Sequence, residues 1–149
     1  MADVVFYVLQ STEQSVAGLA CRLCHRISIV AKQPLFVRFS RPEQMAAFDD
    51  LLWSFSADSF VPHAIDDLRA EVCLGLQEPH AGFVGCCLNL ADDAADATAF
   101  DRVIEIIGAD EATKQLGRQR FKHYRQLGIS PQTHQVSVMD MRKTRHVFF

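Results

Sequence analysis

VVFYVLQSTEQSVAGLACRLCHRISIVAKQPLFVRF, residues 4–39, holds a strand, a helix and a second strand in succession. Val4–Leu9 is an uninterrupted apolar run rich in β-branched and aromatic side chains, which predicts a buried strand. Leu19, Leu23, Ile27 and Val30 then recur at three- and four-residue spacing, which predicts an amphipathic helix over 16–30. Leu35–Phe39 returns to strand composition.

The same alternation continues down the chain. Ser40 and Glu43 stand at the spacing of a capping box, in which each side chain bonds a free backbone N–H of the first helical turn. Pro42 fits inside that turn because its missing N–H would have had no partner there. The helix is expected to run through Met45, Phe48, Leu51 and Leu52 to Trp53, with 54–67 as loop. Glu71–Leu76 and Phe83–Leu90 resemble two more strands, separated by Pro79 and Gly82, and Arg102–Ile107 a fifth. A last helix is expected from Asp110 to Leu127, with acids at its start, cations in its second half and Gly128 as its stop. Alternating strands and helices predict an α/β fold with a mostly parallel sheet covered on both faces.

With 149 residues, 49% of them apolar and 22% charged, the chain has the size and composition of one soluble domain. It lacks a run long enough for a membrane span and the basic, cleavable N-terminus of a secretory signal. Five cysteines without framework spacing point to reduced thiols, hence to a cytoplasmic protein. The net charge of −3 argues against the whole molecule being an electrostatic nucleic-acid binder. Eight of the fifteen Lys and Arg residues nevertheless follow Thr113, with Asp140 the single acid among them. This basic region should attract an anionic partner.

Cys21-Arg22-Leu23-Cys24-His25 matches the pattern of c-type haem attachment. It falls inside the predicted amphipathic helix and no export signal precedes it. Cys21 projects nearer the apolar stripe than Cys24, and a buried thiol packs as a small hydrophobe. A zinc site would need a second knuckle, and adjacent Cys86 and Cys87 in a strand point to opposite faces. No metal and no cofactor are expected. Neither GxGxxG nor GxxxxGK[ST] occurs, and Gln10-Ser11-Thr12-Glu13-Gln14 after the first strand is not a phosphate loop. The chain also lacks a GxSxG elbow.

On the last helix, Ala112, Leu116, Tyr124 and Leu127 share one arc, which is expected to face the core. Lys114, Arg118, Lys122 and Arg125 share a neighbouring arc, with Phe121 at the border. Many helices carry such a stripe as a solvated face. Here no interleaved acid offers i,i+4 pairing, so the cations are expected to lack internal partners. Unpaired cations beside an aromatic wall suit an acidic ligand with a hydrophobic end, such as a peptide C-terminus. Trp53 and Phe60, at a helix end and in a loop, are a second candidate surface, with ordinary core filling as the alternative.

Three stretches carry a family resemblance. Phe48-Asp49-Asp50-Leu51-Leu52-Trp53, Asp58-Ser59-Phe60-Val61-Pro62-His63 and the string from Lys114 to Arg125 resemble the chi subunit family of bacterial DNA polymerase III. So do Val5-Phe6-Tyr7 and the order of elements, over roughly residues 1–133. The resemblance implies a Rossmann-like domain over 1–133 without a nucleotide-binding loop or catalysis of its own. Residues 134–149 are then a C-terminal extension, either an edge strand or a disordered tail. It further implies a surface for the psi subunit of the clamp loader, with Trp53 and Phe60 matching its aromatics. A second surface would hold the acidic tail of single-stranded-DNA-binding protein, which ends in Pro-Phe. Lys114, Arg118, Phe121 and Lys122 match that pocket, with Ile107 as a candidate for its wall. Phe121 stands where the family commonly has Tyr.

Nucleic acid would then be met mainly through partners, and a membrane not at all. The rival reading is direct single-stranded nucleic-acid binding by the basic C-terminal region. That requires stacking aromatics along a cationic groove, and the helix offers Phe121 and Tyr124 alone.

Overall fold

The computed structural model describes residues 1–55, 60–76, 78–79 and 83–137. Asp58 and Ser59 of the quoted motif, Gly82, and the part of the extension from 138 to 149 lie outside the described residues.

Seven strands form one sheet in the order β3-β4-β2-β5-β6-β1-β7. They are β1 (Asp3–Leu9), β2 (Leu35–Arg38), β3 (His63–Ile65), β4 (Val72–Gly75), β5 (Cys86–Asn89), β6 (Arg102–Ile107) and β7 (Gln132–Val136). Every neighbouring pair is parallel. Among the described residues, three α-helices accompany the sheet: α1 (Val16–His25), α2 (Pro42–Ser54) and α3 (Glu111–Gln126). The expected α/β architecture is present, and the parallel strands read as apolar runs because both of their faces are covered. One strand was not anticipated, and another was expected only as the edge-strand alternative for the extension. β3 lies within the expected loop 54–67, and β7 crosses Thr133, where the family resemblance fades.

Strand alternation divides the core into two layers. One holds Val5, Tyr7, Leu35, Val37, Leu88 and Ile104 beneath α1 and α2. The other holds Val4, Phe6, Phe36, Cys87 and Val103 beneath α3, with Ala95, Ala97 and Phe100 of the connection before β6. Cys86 and Cys87 fall in opposite layers.

Local details correct three sequence readings. The long first helix is α-helical to His25 and then widens into a π-helical turn, Arg26–Val30. Cys21 and Cys24 are both fully buried, because α1 lies on the sheet with α2 beside it. Burial pushes the Cys21 thiol up to about 12 and the Cys24 thiol well above its ordinary value, so both stay protonated and pack as apolar groups. The expected capping box at α2 does not form: Arg41 occupies the N-cap, without a side-chain cap bond. The Ser40 hydroxyl instead accepts from the Asp92 backbone N–H at 2.8 Å, and the Gln44 side chain accepts from the Ser40 N–H at 3.2 Å. A tertiary contact has taken the hydroxyl.

α3 begins as expected. The Asp110 carboxylate accepts from the Thr113 N–H at 3.1 Å, and Gly128 ends the helix at a φ of 86°, a conformation that favours glycine. Its buried seam differs from the expected arc. Gly117, Arg120 and Tyr124 face the sheet, whereas Ala112, Leu116 and Leu127 are exposed. A seam holding glycine and arginine is invisible to apolar periodicity.

Candidate functional sites

The α3 seam is set by a polar row in the sheet beneath it. The pairing register aligns Arg38 with Asn89, Asn89 with Glu105, and Glu105 with Phe6. Glu105 is fully buried. It accepts from Tyr124 Oη at 2.6 Å, Asn89 Nδ2 at 2.8 Å and Arg120 Nε at 2.8 Å. Arg38 donates to Asn89 Oδ1 at 3.2 Å and to both carboxylate oxygens of Asp93 at 3.0 and 3.2 Å. Tyr124 Oη also accepts from the Ala95 N–H at 2.9 Å. The row lies near the carboxyl ends of parallel strands, where α/β enzymes place their sites. Glu105 is held by Tyr124, Asn89 and Arg120. Arg38 Nε, which makes no hydrogen bond among the described residues, stands 3.0 Å from Glu78 Oε1. The row anchors α3 through Arg120 and Tyr124.

The row titrates in two senses. Burial raises the Glu105 carboxyl, against the pull of Arg120, Tyr124 and Asn89. The part of stability linked to its proton is therefore present below its unfolded value and is lost as pH rises through the folded one. The hydrogen bond from Arg38 holds Asp93 below the usual carboxylate range. That contribution is present above the unfolded value and is lost as pH falls through the folded one. Asp93→Asn is expected to flatten the acid limb of stability, read as the urea midpoint from neutral pH downward; an unchanged limb would remove Asp93 from acid unfolding.

The Rossmann phosphate position is filled by a side chain. Between β1 and α1, Gln14 Oε1 accepts from the backbone N–H groups of Gln10 and Ser11 at 2.8 and 3.0 Å. Its Nε2 donates to the Val136 carbonyl at 2.9 Å. The first two backbone N–H groups after β1 are therefore bonded to Gln14.

On the other flank of α3 the sheet is left uncovered. Gly117 lets the helix settle on β6; a Cβ there would stand 2.6 Å from Ile107 Cδ1. Phe121 meets Phe6 edge-on, with ring centroids 5.2 Å apart. Beyond this contact lies a groove of about 400 Å³, with Phe6, Val8, Ile107 and Thr133 from the strands and Phe121 from the helix. Arg118, Lys122 and Arg125 line its helical side. The structure thus brings together Arg118, Phe121, Lys122 and Ile107. Lys114 is half-buried one turn earlier and outside the lining. Phe6, Val8, Gly117 and Thr133 were not foreseen; β-strand alternation places Phe6 and Val8 on one face but does not say which helix covers them. The stripe is also not wholly unpaired, since Arg118 Nη1 meets Glu111 Oε1 at 3.1 Å, two turns away. That pair is exposed on both sides and worth little.

Trp53 and Phe60 form a second feature. They are 56% and 59% exposed, with ring centroids 5.2 Å apart. Core filling is therefore not their role. His63 supports the pair from below: its ring centroid is 4.8 Å from that of Trp53 and its side chain is fully buried. His63 Nδ1 lies 2.7 Å from the Val61 carbonyl and Nε2 3.1 Å from Asp49 Oδ1. This patch adjoins β3 and the groove adjoins β7, so the two lie at opposite edges of the sheet, roughly 30 Å apart at ~4.8 Å per strand.

Among the described residues, no group of three or more His, Cys, Asp or Glu side chains is placed to hold a metal ion. No helix among them is long and apolar enough to cross a membrane.

The fold is that of a parallel, Rossmann-like α/β domain, with a cation-lined groove at one edge of the sheet and an exposed aromatic pair at the other. The family model of the DNA polymerase III chi subunit, HolC, matches residues 1–132. The chain is 32% identical over 140 residues to the DNA polymerase III subunit chi of Pseudomonas aeruginosa, covering 91% of this chain and 98% of that protein. It is 27% identical over 144 residues to the subunit of the same name from Escherichia coli, covering 89% and 97%. The chain belongs to the DNA polymerase III chi subunit family.

Proposed function

We propose that this chain is a replication accessory protein without catalysis of its own. It links the psi subunit of the clamp loader, through Trp53 and Phe60, to the acidic C-terminal tail of single-stranded-DNA-binding protein, through the α3 groove. The observation that carries this reading is the groove itself: an apolar floor in a volume of about 400 Å³, with Arg118, Lys122 and Arg125 along one side. The cations steer the acidic tail, one of them bonds its terminal carboxylate, and the terminal Phe packs against Phe121. Direct nucleic-acid binding fits less well. Tyr124 is fully buried and Phe121 packs on Phe6, so α3 offers no row of free rings for base stacking.

Titration with a synthetic acidic peptide ending in Pro-Phe tests the reading. Arg118→Ala is expected to weaken binding roughly ten- to a hundredfold, the loss of a charge-assisted hydrogen bond of ~1.5–3 kcal/mol. Added salt should weaken the wild-type complex as well. Equal affinity for wild type and Arg118→Ala would sink the assignment, and tight, salt-sensitive binding of a bare oligonucleotide would favour direct DNA contact.

A further inference from the structure

The side of the groove away from α3 is an edge strand. β7 pairs with β1, and among the described residues no strand pairs with its other side. The Gln10 N–H, just after β1, donates to the Val136 carbonyl at 3.3 Å. The backbone groups of Val136, and by strand alternation those of His134 and Gln132, therefore face β1. Those of Thr133 and Gln135 point outward. The register places these same two residues on the α3 face, Thr133 opposite Phe6 and Gln135 opposite Val8.

The two edges of the sheet differ. β3 has three residues and is followed at once by Asp66, whose φ of 55° breaks the extended backbone. β7 has five residues and, over its length, none of the Lys, Pro or acidic residues that guard natural edges. The inner side of the groove is closed by Gly117 on Ile107 and Phe121 on Phe6. An occupant's chain therefore leaves over β7. With no acid on β7 and with Lys122 and Arg125 lining the groove beside Thr133, the exit suits an acidic chain.

We infer that an acidic peptide seated in the groove continues along β7 as an added strand, its backbone bonded to the N–H and C=O groups of Thr133 and Gln135. This rests on the groove being the peptide site. Main-chain bonds then supply affinity, and alternate peptide side chains facing Lys122 and Arg125 supply the preference for acids.

The test compares a long acidic peptide ending in Pro-Phe with a version cut back to the residues that fill the groove. The long peptide is expected to bind wild type about tenfold more tightly, as two or more net backbone hydrogen bonds would give. Gln135→Pro removes an outward N–H and leaves pairing to β1 intact. It should abolish the gain while leaving the short peptide's affinity unchanged. Persistence of the gain in folded Gln135→Pro would overturn the inference. If Gln135→Pro fails to fold, N-methyl groups placed along the long peptide decide with wild-type protein: loss at alternate positions supports the added strand, and uniform tolerance refutes it. Binding of the short peptide with no gain on lengthening refutes the strand alone; no binding of either peptide overturns the groove assignment too.

Discussion

Glu105→Ala is expected to lose about 3–5 kcal/mol of folding stability, the cost of removing one partner from a buried ion pair. The substitution leaves the Arg120 guanidinium beneath α3 without its carboxylate, and Tyr124 and Asn89 without the acceptor they share. Measured against a total of ~5–15 kcal/mol for a domain of this size, that is a large fraction. Urea unfolding followed by far-ultraviolet circular dichroism should show a lower midpoint with an unchanged slope. A double variant, Glu105→Leu with Arg120→Met, should recover much of the loss, because apolar replacement of both partners removes the uncompensated charge. A loss under about 1 kcal/mol for Glu105→Ala would mean that apolar contacts alone seat α3. The consequence reaches the proposed peptide groove, since Arg118, Phe121 and Lys122 ride on the helix that Glu105 anchors.

Trp53→Ala is expected to weaken binding of the psi subunit at least thirtyfold, about 2 kcal/mol, as for an aromatic anchor at the centre of an interface. The ring is presented before any partner arrives, held between Phe60 and the buried His63 ring. Such preorganisation reduces the ordering cost of association. Because Trp53 is 56% exposed, its removal should leave folding stability nearly unchanged. Calorimetric titration with purified psi subunit checks the first expectation and thermal unfolding the second. Undiminished affinity in a folded Trp53→Ala variant would place the psi surface elsewhere. Peptide binding in the groove at the opposite edge should be unaffected; joint loss of both partners would indicate misfolding.

What was legible in the sequence follows from where each element sits. The five strands anticipated are the inner five of the sheet, β4, β2, β5, β6 and β1, whose two covered faces demand apolar runs. The other two are its edges: β3 fell in an expected loop, and β7 was expected only as the edge-strand alternative for the extension. β3 is only partly buried and β7 is exposed at Gln132–Gln135, so neither had to write its position in apolar residues. The capping box at Ser40 had the right spacing, yet Asp92, fifty-two residues away, took the hydroxyl. For α3 the boundaries were plain from Asp110 and Gly128, while the buried seam was not, because Gly117 and Arg120 answer to Ile107 and Glu105 on another element.

The candidate sites divide in the same way. The α/β class, the cation stripe of α3, Phe121, Trp53 and Phe60 were decided by local sequence, since helix pitch alone groups Arg118, Phe121 and Lys122. The tertiary structure alone decided that α3 stops short of the β1–β7 edge, so that Val8 and Thr133 become the floor of a groove. It alone set Arg120 inside against Glu105 rather than outside with the other cations, and put the two surfaces at opposite edges of one sheet. A one-dimensional pattern records which residues share a face of their own element; which other element meets that face is set by strand order and register, and those arise from contacts between distant residues.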